Sequence, residues 1–436
     1  MRHFLLAAVC SFGLGCGAAE PWTLERAIAH ALSQNPDARL AQQRIVAAQA
    51  GLRQANAAFM PQLQFQSSYL RTDNPMLVFG SALNQQSFGA IGTDYNDVPD
   101  GDNLNVKGLV TVPLYAGGRN AAGRNAAKAN SEVSKQNAEA IRNALGFEVA
   151  RAFHTVLKTR EFIRATEAGA RSFENNLAIA NKRMNAGTLL KADVLDVEVR
   201  LAQAREDLVR ARNAQALAER ALRNLLGLEQ GEFTVADSAP SATVPESGDF
   251  SHRPELAASY QRQRAAEAEV RRAKGGYQPS VNAFGSLDYD YGWKFDGDGK
   301  SYAAGVLLQW DLWDGNRTRG KVEEARAHLE TAREEERKLR LALDFEVEQA
   351  RIGLREANER LAVTEKVIAQ ATESAFLTRA RFEQGLAIAT QLIDAETALT
   401  AARVRRAEAE ADQRVAAAAV RKALGMPPLD PATTPK

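Results

Sequence analysis

The residues best suited to chemistry are scattered. The five histidines, His3, His30, His154, His252 and His328, have no metal-ligand spacing among them. Gly117, Gly118 and Gly123 form a glycine-rich stretch without the Lys-Ser/Thr pair of a phosphate loop. Asp296-Gly297-Asp298-Gly299 opens like a calcium loop but lacks the later ligands. It fits a hairpin turn better. No Ser/His/Asp or Cys/His set stands out. Catalytic, cofactor and metal sites are all read as none, so function is sought in architecture.

Composition narrows the classes. The 436 residues are 45% hydrophobic, 25% charged and 7% aromatic, with a net charge of +1. Balanced, interspersed charge gives no footprint for nucleic acid. Abundant Ala, Arg, Glu and Leu point to long helices. Arg2 and His3 precede an apolar run from Phe4 to Leu14, followed by Gly15, Gly17, Ala18 and Ala19. This is the pattern of an export signal cleaved after Ala19. Both cysteines, Cys10 and Cys16, lie within it, so the mature chain is expected to have no disulfide or thiolate metal site. Leu14-Gly15-Cys16 also partly resembles a lipidation box, with Gly13 where a larger aliphatic residue is expected. No later apolar run reaches the length of a membrane-spanning helix, which leaves a β-barrel as the route through a membrane.

The chain is duplicated. Leu114, Gly117 and Arg119 match Leu312, Gly315 and Arg317 at an offset of 198. The same offset pairs Phe147-Glu148-Val149 with Phe345-Glu346-Val347, Arg183 with Arg381, Gly187 with Gly385, Asp196 with Asp394, Glu198 with Glu396, and Leu226-Gly227 with Leu424-Gly425. Loops tolerate length changes; two long helices that must stay matched do not. Upstream, Pro36 pairs with Pro254 and Pro61 with Pro279 at an offset of 218, so the first repeat carries 20 extra residues between 61 and 113.

None of the 14 prolines falls between Leu114 and Ala239 or between Ser280 and Met426. Because a proline inside a helix costs about 3 kcal/mol or more, these tracts are free to be helical. Helices are predicted at 119–185, 189–226, 317–383 and 387–424. The longer ones would extend roughly 100 Å and must pack side by side, as in coiled coils. Gly187 and Gly385 mark the turn of each helical hairpin, since glycine accepts the left-handed conformation.

Between the helices the period changes from 3.6 to 2. Residues 62–71 alternate Leu63, Phe65 and Tyr69 against Gln62, Gln64, Gln66 and Ser68. Residues 104–114, 280–291 and 302–312 alternate likewise. Each run matches a tilted membrane-spanning strand. Aromatics gather near the ends as interface girdles: Tyr69, Tyr289, Tyr291 and Tyr302, then Tyr115, Trp310 and Trp313. A soluble sheet with one wet face would alternate too. Four strands cannot close a barrel, and an open edge in lipid leaves costly unpaired backbone groups. Either the sheet is not in a membrane or several chains share one barrel. Residues 72–103 and 292–300 are read as loops, the first carrying Asp73, Asp94, Asp97, Asp100 and Asp102 as an acidic rim or as ordinary solvated loop.

The order helix, β-hairpin, long helical hairpin, repeated once, resembles the TolC-like outer-membrane efflux proteins. The resemblance rests on Thr23-Leu24-Glu25-Arg26-Ala27 through Asn35-Pro36-Asp37, on Pro113-Leu114-Tyr115-Ala116-Gly117-Gly118-Arg119 and on Asp311-Leu312-Trp313-Asp314-Gly315-Asn316-Arg317. It covers nearly the whole mature chain. It implies a mainly α chain with a membrane β-barrel, a homotrimer sharing 12 strands in outer-membrane lipid, and a periplasmic α-helical tunnel. It further implies docking to a periplasmic adaptor and an inner-membrane transporter, in a Gram-negative outer membrane with most of the chain in the periplasm. The resemblance places adaptor docking at Ala186, Gly187, Thr188, Leu189, Gln384, Gly385 and Leu386. It places a periplasmic constriction at Asp193, Asp196, Gln391 and Asp394. Gln391 stands where some members carry Asp, and Ala387 where some carry Arg. Independently, three copies of Asp394 near one axis would repel and attract cations; a lone Asp394 would simply favour a helix N-terminus.

The resulting division is a signal peptide at 1–19, a first repeat at 20–228, a linker at 229–253, a second repeat at 254–426 and a tail at 427–436. The expected function is a passive exit duct rather than an enzyme. The rival is a soluble periplasmic coiled-coil adaptor or scaffold, which leaves the four matched strands unexplained.

Overall fold

The structure, a computed structural model, describes residues 21–91, 97–229, 233–237 and 243–429. The leader with Cys10 and Cys16, Asp94 and most of the tail lie outside these. The elements run α1 (Leu24–Gln34), α2 (Pro36–Ala57), β1 (Gln62–Thr72), α3 (Pro75–Asn84), β2 (Gly101–Tyr115), α4 (Arg119–Asn185) and α5 (Lys191–Leu225). The second repeat gives α6 (Pro254–Lys274), β3 (Ser280–Gly292), β4 (Gly297–Gln309), α7 (Arg317–Glu383) and α8 (Ala389–Ala423). Helices α4 and α7 are 67 residues each, and α5 and α8 are 35 each. The return helices begin two residues later than predicted, because Leu190 and Ile388 take extended N-cap conformations.

Glycine sets all four hairpin ends by one motif. Gly187, Gly227, Gly385 and Gly425 have φ between 72° and 81°. At each, the following residue's N–H donates to the carbonyl five residues back: Thr188 to Arg183, Leu228 to Arg223, Leu386 to Arg381 and Met426 to Arg421. These Schellman caps satisfy helix-end carbonyls. The strand-to-helix signature uses the same freedom. Gly117 and Gly118 take φ of 63° and 76°, and Gly315 and Asn316 take 67° and 66°. Asn is the side chain that best tolerates this region. The glycine-rich stretch is thus a corner.

Packing divides the chain into two compact units, each drawn from both repeats. One comprises 1–40, 139–253 and 342–436. In it Leu24, Ala27 and Ala31 of α1 pack on Leu145, Val149, Phe153 and Val156 of α4 and on Leu222 and Leu226. In the second repeat, Val347 of α7, Val420 and Ala423 of α8, and Leu424 cluster likewise. A buried side chain closes each return helix. Asn35 Nδ2 donates to the Leu225 carbonyl at 2.8 Å, while Arg253 Nη1 donates to those of Lys422 and Ala423 at 3.1 and 3.0 Å. Asn35 and Arg253 are equivalent positions that do one job with different chemistry.

The other unit, 41–138 and 254–341, holds a four-stranded antiparallel sheet in the order β1-β2-β3-β4. The observed registers confirm the predicted faces. Leu63 opposes Val110, Tyr69 opposes Leu104, Leu104 opposes Tyr291, and Leu287 opposes Tyr302. Two expectations are corrected. β4 spans 297–309 rather than 302–312, so the turn is Trp293–Asp296 and Trp310 and Leu312 lie beyond the strand. Gly297–Lys300 pair through the backbone while carrying no apolar alternation. The segment 72–103, read as loop, contains α3, a 3₁₀ turn at Phe88–Ile91 and the start of β2.

Candidate channel wall and hairpin tips

The sheet presents two kinds of face. On the apolar side Leu63 and Phe65 are 79% and 76% exposed, and Leu287, Val306 and Leu308 are likewise exposed. Nothing among the described residues covers them. The other side carries Gln62, Gln64, Gln66 and Ser68 beside a polar network. Asn103 Nδ2 donates to Asp290 Oδ1 at 2.6 Å, Asn105 Nδ2 to the same oxygen at 3.1 Å, and Lys107 Nζ lies 3.4 Å from Asp288 Oδ1. One apolar face opposite one polar face is the pattern of a membrane-barrel wall. Strands β1 and β4 are the sheet's unpaired edges. No helix among the described residues is long and apolar enough to cross a membrane.

The interface aromatics fall partly where predicted. At the turn end, Tyr69 and Tyr291 flank Trp293, with ring centroids 5.7 and 5.0 Å away. Trp293 escaped the sequence reading because it sits in the turn, outside any alternating run. Tyr289 follows one row inward. Tyr302 is displaced toward mid-sheet opposite Leu287, four residues along β3 from Tyr291. At the helix end, Tyr115 closes β2, Trp310 donates its indole N–H to the Tyr277 carbonyl at 3.1 Å, and Trp313 is exposed. The acidic segment is only partly free. Asp100 pairs with Arg71 at 2.6 Å and Lys294 at 3.1 Å, and these bonds hold its carboxyl below the usual carboxylate range. Asp102 accepts from the backbone N–H groups of Trp293 and Lys294 and so fixes the turn. Asp73 and Asp97 are exposed.

At the tips the two hairpins share one core. Val194 and Val197 of α5 meet Phe382, Leu392 and Ile393 of the second hairpin, with Phe173 and Ala180 of α4. Of the predicted docking residues, Ala186, Gly187, Thr188, Gln384, Gly385 and Leu386 are exposed and Leu189 is half-buried. Leu190 and Ile388 add exposed apolar surface at 72% and 60%. Of the predicted constriction residues, Asp196, Gln391 and Asp394 are exposed and Asp193 is half-buried. They flank the shared core without meeting one another in a metal-binding group; among the described residues there is none. Gln391 has a local role: its Oε1 accepts from the Ile388 N–H at 3.4 Å and caps α8.

Two arginines tie the hairpins together, and sequence reasoning found neither role. Arg183 Nη1 donates to the Phe382 carbonyl at 2.8 Å and Nη2 to the Thr188 carbonyl at 3.2 Å. Its guanidinium also lies 4.8 Å from the centre of the Phe382 ring. Arg379 donates Nε to Glu396 Oε1 at 2.9 Å and Nη2 to Ser172 Oγ at 3.0 Å. Glu396 is 2% exposed. Such a pair is costly to break once buried. The only signal was the pairing of Arg183 with Arg381 and Glu198 with Glu396, which shows shared ancestry but not which partner is used.

A sheet with one apolar and one polar face, joined to long helical hairpins, defines the class of outer-membrane channel proteins. The chain belongs to the Outer membrane efflux protein family, whose profile matches residues 27–228 and 250–426. Among curated relatives it is 25% identical over 343 residues to protein CyaE of Bordetella pertussis, covering 75% of this chain and 72% of that one. It is also 25% identical over 211 residues to outer membrane protein OprJ of Pseudomonas aeruginosa, covering 46% and 44%. Two crystal structures share the fold. The outer membrane protein VceC of Vibrio cholerae matches with TM-score 0.77 at 19% identity, covering 92% of this chain and 96% of that one. The MtrE outer membrane channel of Neisseria gonorrhoeae, in its open state, matches with TM-score 0.78 at 17% identity, covering 94% and 91%.

Proposed function

We propose that this chain is one subunit of a homotrimeric outer-membrane duct that serves a tripartite efflux or secretion system. Three four-stranded sheets would close a 12-stranded barrel in outer-membrane lipid, and the helices would line a periplasmic tunnel. The observation that carries the reading is the sheet with an uncovered apolar face and two unpaired edges. In lipid each unpaired backbone group costs several kcal/mol, about enough to forbid an open sheet. Edge-to-edge closure between subunits removes that cost.

The helices support the same closure. On α7, Phe345, Ile352, Val363, Val367 and Leu377 are exposed and share one face. On α5, Leu195, Val199, Val209 and Leu217 do the same. Two different uncovered stripes suit a head-to-tail ring, in which one subunit's α7 covers its neighbour's α5. The exposed apolar tips, Leu190, Leu386 and Ile388 beside Gly187 and Gly385, suit docking of a periplasmic adaptor that links the duct to an inner-membrane transporter. Transport energy comes from that partner, so the duct needs no catalytic group. Asp394 and Asp196, threefold repeated, would narrow the tip electrostatically.

The test is single-channel recording of the purified protein in planar bilayers. The reading expects stable pores whose conductance rises in Asp394→Ala. Unchanged conductance in that variant removes the charge gate alone. Absence of pores from a detergent-stable preparation overturns the duct.

A further inference from the structure

The first repeat's 20 extra residues supply α3, which has no counterpart in the second. Helix α3 is apolar almost all round: Pro75, Met76, Leu77, Val78, Phe79, Ala82 and Leu83. Asn74 caps it by accepting from the Met76 N–H at 3.1 Å, with Pro75 in the first turn. A helix without a polar face is a buried helix. Among the described residues, only one side of α3 is buried. Val78 and Ala82 are 0% exposed and Gln85, just past its end, 1%.

The seat of that side is defined by glycines. A Cβ at Gly101 would stand 3.0 Å from Val78 Cγ1. A Cβ at Gly292, Gly297 or Gly299 would collide with Gln85, Ser87 or the Asn84 carbonyl. Gln85 Nε2 donates to the Asp102 carbonyl at 2.7 Å and to Asn103 Oδ1 at 2.9 Å. The register then fixes which face of the sheet this is. Gly101, Asn103 and Asn105 alternate along β2, Gly292 and Asp290 along β3, and Gly297 and Gly299 pair opposite them on β4. All lie on the polar face. The helix is therefore folded inward over the lumenal side, at the end of the sheet away from the strand-to-helix corners.

On its other side α3 presents Met76, Gly80 and Leu83, one above another at helical spacing, with Leu77 beside them. Met76 is 79% exposed and Leu83 59%. Resting on the proposed trimeric barrel, we propose that this surface is a contact between subunits. The α3 helices of three copies would meet across the lumen and form an apolar collar at the outer mouth. Threefold symmetry brings the same inward-facing surface of each copy toward one axis, and a second copy of this chain is the partner whose apolar character matches. The collar narrows the exit with side chains that bind neither water nor ions, a barrier that yields to cargo pushed from below.

The experiment uses the full-length protein in outer membranes, with Met76→Cys or Leu83→Cys treated with a short bifunctional maleimide. The unsubstituted protein, whose cysteines are at 10 and 16 only, is one control. Leu287→Cys, on the lipid face of β3, is the other. Cross-linked dimers, the limit for one cysteine per chain, are expected from positions 76 and 83 but not from 287. Leu83→Asp should then raise single-channel conductance. A native trimer that shows no cross-link at either position overturns the collar and leaves the channel standing. Labelling of position 76 by a lipid-soluble maleimide overturns it too, by placing α3 against the bilayer. A native particle that is not a trimer overturns both readings.

Discussion

Helices α4 and α7 have the same length, begin from the same corner and end at the same kind of glycine cap, yet they meet different surroundings. Twenty residues of α4 are buried and only seven of α7. Phe147 is half-buried beneath the Lys422 ammonium, 5.3 Å from its ring, whereas its equivalent Phe345 is 67% exposed. His154 is buried and its equivalent Ile352 is half exposed. An apolar residue in water beside a polar residue in a core inverts the usual preference. The difference teaches that duplication kept the lengths and the caps, while the surfaces diverged to serve different neighbours. Helix α4 packs largely inside its own chain, whereas α7 leaves exposed the apolar surface that the proposed ring would cover.

The strongest way to break this comparison is to place a charge at the matched phenylalanines. Phe345→Asp should abolish the trimer while leaving helix content intact, since burying an unpaired carboxylate costs about 4 kcal/mol or more. Phe147→Asp should instead lower the melting temperature of the chain itself. Native mass and circular dichroism separate the two. Equal behaviour would mean that the repeats are not distinct in role.

Next comes the buried pair. Arg379→Ala leaves Glu396 without its cation and should cost about 3 kcal/mol, measured by denaturant unfolding. Glu198→Ala, at the exposed equivalent of Glu396, should change stability by less than about 0.5 kcal/mol. A third test uses pH. Burial, aided by the nearby Arg414 charge, lowers the His154 pKa from 6.5 to about 4. The unfolded chain therefore binds a proton that the folded chain refuses between those values. Stability should fall as pH drops from about 6.5 to about 4, by on the order of 3 kcal/mol in all. His154→Gln should flatten that slope, and a slope unchanged by the substitution would assign the effect elsewhere.

The smallest expected effect sharpens the comparison at the tips. Arg183→Ala loses two carbonyl contacts and a ring face, about 2 kcal/mol. Arg381→Ala, at the exposed equivalent, should be near neutral. If the Arg183 contacts hold the tips closed, Arg183→Ala should also increase leak through the channel.

What sequence revealed divides along the same physical line. The bounds of α4 and α7, the glycine caps and the faces of the strands were readable, because each depends on residues near in sequence: proline exclusion, left-handed glycine, alternation of two. Even β4 was misplaced where Gly297 and Gly299 gave no alternation, being small because the end of α3 rests on them. Helix α3 itself carried a start signal in Asn74-Pro75, overlooked inside a segment read as loop. The contacts of Arg183 and Arg379, and the shared task of Asn35 and Arg253, were out of reach, since each acts on a group distant in sequence.

The central claim is that the uncovered sheet and the uncovered helix stripes are closed by two further copies. The most direct measurement is the native mass of the particle released from outer membranes by detergent. Three chains per particle, released only by detergent, is the predicted result. A single chain, or a particle that is soluble without detergent, would contradict it.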